Sequence, residues 1–219
     1  MCSSDLYTLY VKDAHGAGEE AKLQDPVGTE RPTNWSDDNR FLLFTRMIGG
    51  INTIWTLSDP AGDAASRKPA PYLETPYNTS QAQFAPASAG APHWVAYTSD
   101  ESRQSNEIYV QSFPPGAGKF QISRGGGTQA RWRRDAKELF YLAPDGKLMV
   151  VDVKLGSRFE AGIPRVLFET RYADSNLNNY RYDVSEDGQR FLILTLAQDE
   201  SGAADYITVV TNWLAGVKK

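Results

Sequence analysis

The sequence predicts an all-β protein, a β-propeller of four-stranded antiparallel blades, and three observations predict it. Rings and turn formers are both abundant: five Trp, eleven Tyr and nine Phe stand among twelve Pro and eighteen Gly, the composition of many short strands. Related segments recur, with anchors Trp35, Phe84, Trp132 and Val184 lying 49, 48 and 52 residues apart, a period that marks a repeat architecture. Each copy also carries apolar runs of only a few residues, such as Phe41 to Phe44 and Leu139 to Leu142, which read as buried strands. A four-stranded sheet that is apolar on both faces cannot bury them alone. Radial stacking covers each face with the next blade.

The elements follow in order along one domain, residues 1–219. Cys2 to Asp5 fit no unit. Leu6 to Val11 reads as a third strand and Ala21 to Leu23 as a fourth, so residues 5–25 form a blade remnant. In the first full blade, 29–75, the anchor Trp35 leads into Ser36-Asp37-Asp38-Asn39, then strands at Phe41 to Phe44 and Ile54 to Leu57, and a weaker one around Ala70 to Leu73. In the second, 79–123, Phe84 is followed by Trp94 to Tyr97, Ile108 to Val110 and Lys119 to Ile122. The third, 128–170, runs from Trp132 through Arg133-Arg134-Asp135-Ala136 to Leu139 to Leu142, Leu148 to Val151 and Arg165 to Phe168. The fourth, 179–213, has Val184, Ser185-Glu186-Asp187-Gly188, Phe191 to Leu194 and Ile207 to Val210, before a tail at 214–219.

Asp, Asn and Gly suit the turn after Trp35, Trp132 and Val184 because they bond their own backbone or tolerate positive φ; in the second copy that turn is lost, and only Phe84-Ala85-Pro86 and the Trp94 strand survive. The loop between second and third strands is expected to be tight only in the third copy, at Pro144-Asp145-Gly146. The count is about four and a half blades, so the chain is expected to be the C-terminal part of a larger propeller. Phe41, Leu43, Tyr97, Phe140, Tyr141, Leu192 and Val209 are expected to be mostly buried, Trp35, Trp55, Trp94 and Trp132 to fill inter-blade seams, and no helix to exceed about three turns.

Composition narrows the function. Net charge is −4 with both signs interspersed, unlike the basic face of a nucleic-acid binder. No apolar run approaches the roughly 18 to 20 residues of a membrane helix, and the N-terminus MCSSDLYTLYVKD has no apolar leader core. The single cysteine, Cys2, permits neither an internal disulfide nor a cysteine zinc site, and no metal or cofactor is expected. The glycine-rich loop, His-Arg-Asp and Asp-Phe-Gly motifs of a kinase are missing, as is the Gly-x-Ser-x-Gly elbow of a hydrolase. His15 and His93 fall in loops, Gly125-Gly126-Gly127 reads as an inter-blade loop, and Asp100-Glu101 and Asp199-Glu200 as solvated loop charge. The expectation is a chain without catalytic residues.

In a propeller the innermost strands line a central channel and open onto one face. Arg31, Asn34, Gln81, Gln83, Gln129, Arg131, Asn179 and Arg181 lie on those strands, and such an Arg- and Gln-bearing rim would suit a carboxylate-bearing ligand or peptide. The expected partner is a protein or small ligand at that face, with no nucleic acid.

The units resemble the TolB-like propeller repeat, a WD-repeat relative with the core W-S-P-D-G-K-x-[IL]-x-[YF]. Trp35 to Phe44 carries it with Asp37 for Pro and Asn39 for Gly; Trp132 to Tyr141 departs at Arg133, Arg134 and Ala136; Val184 to Leu194 has Val for Trp. The run Asn106 to Pro114, Gly126-Gly127, Trp132 to Asp135 and the ending Ile207 to Trp213 are similar to the C-terminal propellers of bacterial serine/threonine protein kinases. That resemblance implies an extracytoplasmic binding or sensor module attached through a membrane helix to a kinase. The alternatives it leaves are a propeller that gates or scaffolds a serine peptidase and a free-standing periplasmic TolB-like interaction protein.

Overall fold

Alternating apolar residues in short runs become strands whose two faces serve two different neighbours. The computed structural model describes residues 7–16, 18–25, 27–86, 93–116, 118–156, 158–170 and 180–195, with the backbone of 207–210. Among them the secondary structure is all β and antiparallel. A two-stranded sheet comes first, β1 (Tyr10–Val11) with β2 (Ala21–Lys22). Blade 1 is β3 (Thr29–Trp35), β4 (Phe41–Ile48), β5 (Ile51–Ser58) and β6 (Lys68–Pro71), in that spatial order. Blade 2 is β7 (Thr79–Phe84), β8 (Trp94–Ser99), β9 (Glu107–Ser112) and β10 (Lys119–Gln121). Blade 3 is β11 (Thr128–Trp132), β12 (Glu138–Leu142) and β13 (Lys147–Lys154), whose outer edge pairs with both β14 (Glu160–Ala161) and β15 (Arg165–Glu169). Blade 4 is β16 (Tyr182–Val184), β17 (Phe191–Leu194) and β18 (Ile207–Val210). No described helix is long and apolar enough to cross a membrane.

The period-2 pattern sorts side chains into seams between successive sheets. Leu42, Phe44 and Leu57 meet Leu9 and Leu23, which flank the two strands of the first sheet. Leu43 and Ile54 face Val95, Tyr97 and Tyr109 of blade 2. Trp94, Ile108 and Val110 of blade 2 face Trp132, Tyr141 and Val151 of blade 3. Phe140, Leu142, Leu148 and Val150 face Tyr182, Phe191 and Ile193 of blade 4. Each of these seams is a small aromatic-rich core.

The turn after Trp35, Trp132 and Val184 recurs in detail. Asn39, Ala136 and Gly188 all have positive φ, at 60°, 57° and 71°. Their amides donate to the carbonyls of Ser36, Arg133 and Ser185. Asp38, Asp135 and Asp187 each accept, through Oδ1, the amide two residues on. Ser185 and Gln189 thereby hold the Asp187 carboxyl below the ordinary carboxylate range. Ala136 is the one member whose side chain opposes its backbone. Ala136→Gly is therefore expected to stabilise the protein by about 0.5–1 kcal/mol, read as a raised urea midpoint.

Three expectations need correction. The loop from β4 to β5 is as tight as that in the third copy: Gly49 and Gly50, at φ 59° and 85°, close a two-residue hairpin, which the twist of paired strands favours. Leu192, expected inside, is 48 % exposed, because it lies on the face of β17 opposite Phe191 and Ile193. Trp35, expected to fill a seam, is 37 % exposed at the end of β3. Phe41 and Trp55 are half-buried and pack against their seams, in keeping with the expectation. Leu43, Tyr97, Phe140 and Tyr141 are buried as expected, as are Trp94 and Trp132. The side chain of Val209, and Trp213, lie outside the described residues.

Candidate functional site

The inner strands β3, β7, β11 and β16 end together at one face, and their residues one place before the anchors share a register. Asn34 pairs with Leu43, Gln83 with Ala96, Arg131 with Phe140 and Asp183 with Leu192. These four line a cavity of about 200 Å³ with the exposed ring of Trp35 and the turn residues Asp37 and Arg134. Arg134 reaches from blade 3 to Asp37 of blade 1 at 3.5 Å. As an exposed pair it contributes at most about 1 kcal/mol.

Tyr180, just before β16, reaches from blade 4 to the inner strand of blade 2. Its hydroxyl donates to the Gln81 carbonyl at 2.9 Å and accepts from Gln83 Nε2 at 3.0 Å, tying blade 4 to blade 2. The Arg131 guanidinium lies on the Tyr180 ring, 3.7 Å from its centroid, and Arg131 Nε stands 3.6 Å from Asp183 Oδ1. Burial pushes the Tyr180 hydroxyl up to about 12, with Arg131 pulling the other way. An arginine stacked on a ring keeps its N–H fork while losing rotamer freedom, which suits it to fix a carboxylate.

The predicted rim residues divide. Asn34, Gln83 and Arg131 come together at the mouth, although Gln83 is 7 % exposed and bonded to the Thr33 carbonyl and Tyr180. Gln81 and Gln129 are not rim groups. They are 3 % and 1 % exposed, with φ of 55° and 61° at β-bulges. The bulge turns each side chain into the wall. There Gln81 Oε1 accepts from Thr98 and from the Gln129 amide, and Gln129 Oε1 accepts from the Arg181 amide at 2.6 Å. Asn34 does the same for the Phe84 amide at 2.9 Å. These are blade-to-blade fasteners. Arg31 pairs with Thr45 and is not among the residues lining the mouth; Arg181 lines a different pocket; Asn179 lies outside the described residues.

Sequence reasoning missed Asp183, Tyr180, Trp35 and Arg134. Asp183 was accessible from the anchor spacing, being to Val184 what Arg131 is to Trp132. Among the described residues no group of His, Cys, Asp and Glu could hold a metal ion, and His15 and His93 are exposed. The glycine run serves its own chain: Gly125 and Gly126 donate to the buried Glu107 carboxylate at 3.1 and 2.9 Å.

Neither a protein-family model nor a curated protein matches the sequence. Solved structures do match in shape. TolB from Acinetobacter baumannii superposes with TM-score 0.62 at 18% identity, over 94% of this chain and 46% of that one. A TolB structure from Agrobacterium tumefaciens gives 0.57 at 11% identity, over 77% and 58%. The chain thus spans about half the length of these proteins, and its fold is that of a TolB-like β-propeller.

Proposed function

We propose that this chain is a non-catalytic recognition module that binds a peptide or other carboxylate-bearing ligand at the channel mouth. The observation that carries the reading is the tier Asn34, Gln83, Arg131 and Asp183. Four repeat-equivalent positions that could each hold an apolar filler hold four different polar groups, beside an exposed tryptophan. Such a set offers a fixed cation and a stacking surface, which are recognition groups, while the Asn34 and Gln83 amides hold the blades that carry them in place. Nothing in it pairs a nucleophile with a base.

The wider placement belongs to the same proposal. The chain is one propeller domain, and its unit is the sensor part of a bacterial serine/threonine protein kinase, on the extracytoplasmic side. That placement is supported by the likeness of Asn106 to Pro114 and of the ending to such propellers. The TolB-like fold supports the coarser reading of an interaction module.

Selection of displayed random peptides on the purified protein, followed by calorimetry with a synthetic peptide, tests the binding step. Enriched sequences should carry an acidic group near an aromatic one. Arg131→Ala and Trp35→Ala should each weaken binding about tenfold or more, with unchanged circular dichroism. Failure to enrich any sequence, or peptides indifferent to both substitutions, would refute the reading.

A further inference from the structure

A larger cavity, of about 1050 Å³, adjoins the channel mouth on the same face, and Asp37, Pro86 and Arg134 line both. The Arg134–Asp37 pair stands where the two meet. From there the larger space follows blade 3 outward as a groove. It passes the turn from Arg134 to Lys137, then the end of β13 at Asp152 to Leu155, then β14. Paired strands lie about 4.8 Å apart, so crossing a blade from its inner to its outer strand takes roughly 14 Å, the reach of about four extended residues. The chemistry of the groove differs from that of the mouth. Each carboxylate on its walls has a cation beside it: Asp37 has Arg134 at 3.5 Å, Asp135 has Lys137 at 3.6 Å, Glu160 has Lys154 at 3.5 Å and Asp152 has Arg165 at 3.5 Å. Walls paired in this way call for no charge on what they receive. Between the pairs stand Pro86, Ala136, Leu155, Ala161 and Gly162, small or aliphatic groups that leave room for a main chain and short side chains.

We propose that the groove extends the binding site of the mouth and takes the uncharged, small-residue flank of a peptide whose acidic and aromatic groups sit at Arg131 and Trp35. Resting on the mouth's role as a peptide site, this makes the ligand an extended segment and excludes a small free acid. The mouth supplies the charged and stacking contacts that select the segment. The groove supplies apolar contact along about four further residues, so affinity depends on length as well as on the acidic group.

Calorimetry on the 219-residue protein tests it, with N-acetyl-tryptophyl-aspartate amide and two series that lengthen this peptide by one to six alanines, one at its N-terminus and one at its C-terminus. In one of the two series the first four alanines should each raise affinity about twofold, about tenfold or more together, and the fifth and sixth should add nothing. Ala161→Trp, at an exposed position on β14, places a large ring in the groove and should remove that gain. The unlengthened peptide should bind this variant as it binds the parent, which shows that the fold and the mouth are intact. Flat affinity along both series, or a gain that Ala161→Trp does not reduce, would overturn the groove and leave the reading of the mouth standing. If the unlengthened peptide does not bind, while a four-alanine form binds and is weakened by Ala161→Trp, the groove is a peptide site in its own right and the reading of the mouth falls. Absence of binding by every member of both series would overturn both.

Discussion

Phe140→Ala is expected to cost about 3–5 kcal/mol of stability, and Leu192→Ala at the same register of the next blade less than about 1 kcal/mol. The two residues are repeat equivalents. Phe140 pairs with Arg131 on β11 and Leu192 with Asp183 on β16. Their surroundings differ completely. Phe140 is fully buried in the seam between blades 3 and 4, its ring edge-on to Phe191 at 5.1 Å, and truncation removes that contact and opens a void among Leu142, Leu148 and Val150. Leu192 has nearly half its surface in solvent, so its truncation returns little to water and leaves no cavity. Urea unfolding followed by tryptophan fluorescence measures both. Equal losses would mean that the outer face of blade 4 is covered in solution.

The contrast also marks what the sequence can convey. The blade fold was legible because anchors and strands recur in every copy and the turn in three of them, and the physics of covering a two-faced sheet leaves few alternatives. Leu192 and Phe140 look alike in sequence because both sit on the apolar alternation of a second strand; whether a face is covered depends on what stacks on it. The turn was half legible. Asn39 and Gly188 announce positive φ, whereas Ala136 adopts it because Asn39's place in the repeat demands it.

At the channel, Asn34, Gln83 and Arg131 could be placed by spacing from their anchors. Gln81 and Gln129 were misplaced because strict alternation puts them on the same face as Gln83 and Arg131. The bulge breaks that alternation and sends them into the wall. A bulge of one residue leaves no compositional trace unless a glycine marks it. Tyr180 was invisible for a related reason, since its contacts with Gln81 and Gln83 span nearly a hundred residues.

Arg46→Met should be as damaging as loss of the Phe140 ring, for an electrostatic reason. Arg46 and Glu30 have side chains only 4 % and 0 % exposed. Arg46 donates through Nε and Nη2, at 2.9 and 2.8 Å, to the same Glu30 oxygen, which also accepts from Gln24 at 3.0 Å. The guanidinium lies 3.9 Å from the Trp55 ring centroid. Glu30 Oε2 has no hydrogen-bond partner, so the carboxylate depends on that cation. Methionine keeps the length of the stem and its packing on Trp55 but strands the charge, at a cost of about 3–5 kcal/mol. Adding Glu30→Leu removes the stranded group, and the double variant should be more stable than Arg46→Met alone. A double variant that loses the sum of the two single losses would show the pair to be uncoupled. The site of damage is also specific. Glu30 donates its amide to the Tyr7 carbonyl, and the β1–β2 sheet covers Leu42, Phe44 and Leu57 of blade 1. Hydrogen exchange should therefore quicken first at Leu23, whose amide donates to the Leu9 carbonyl, because losing that sheet would leave blade 1 with the kind of open apolar face that blade 4 presents through Leu192 and Leu194.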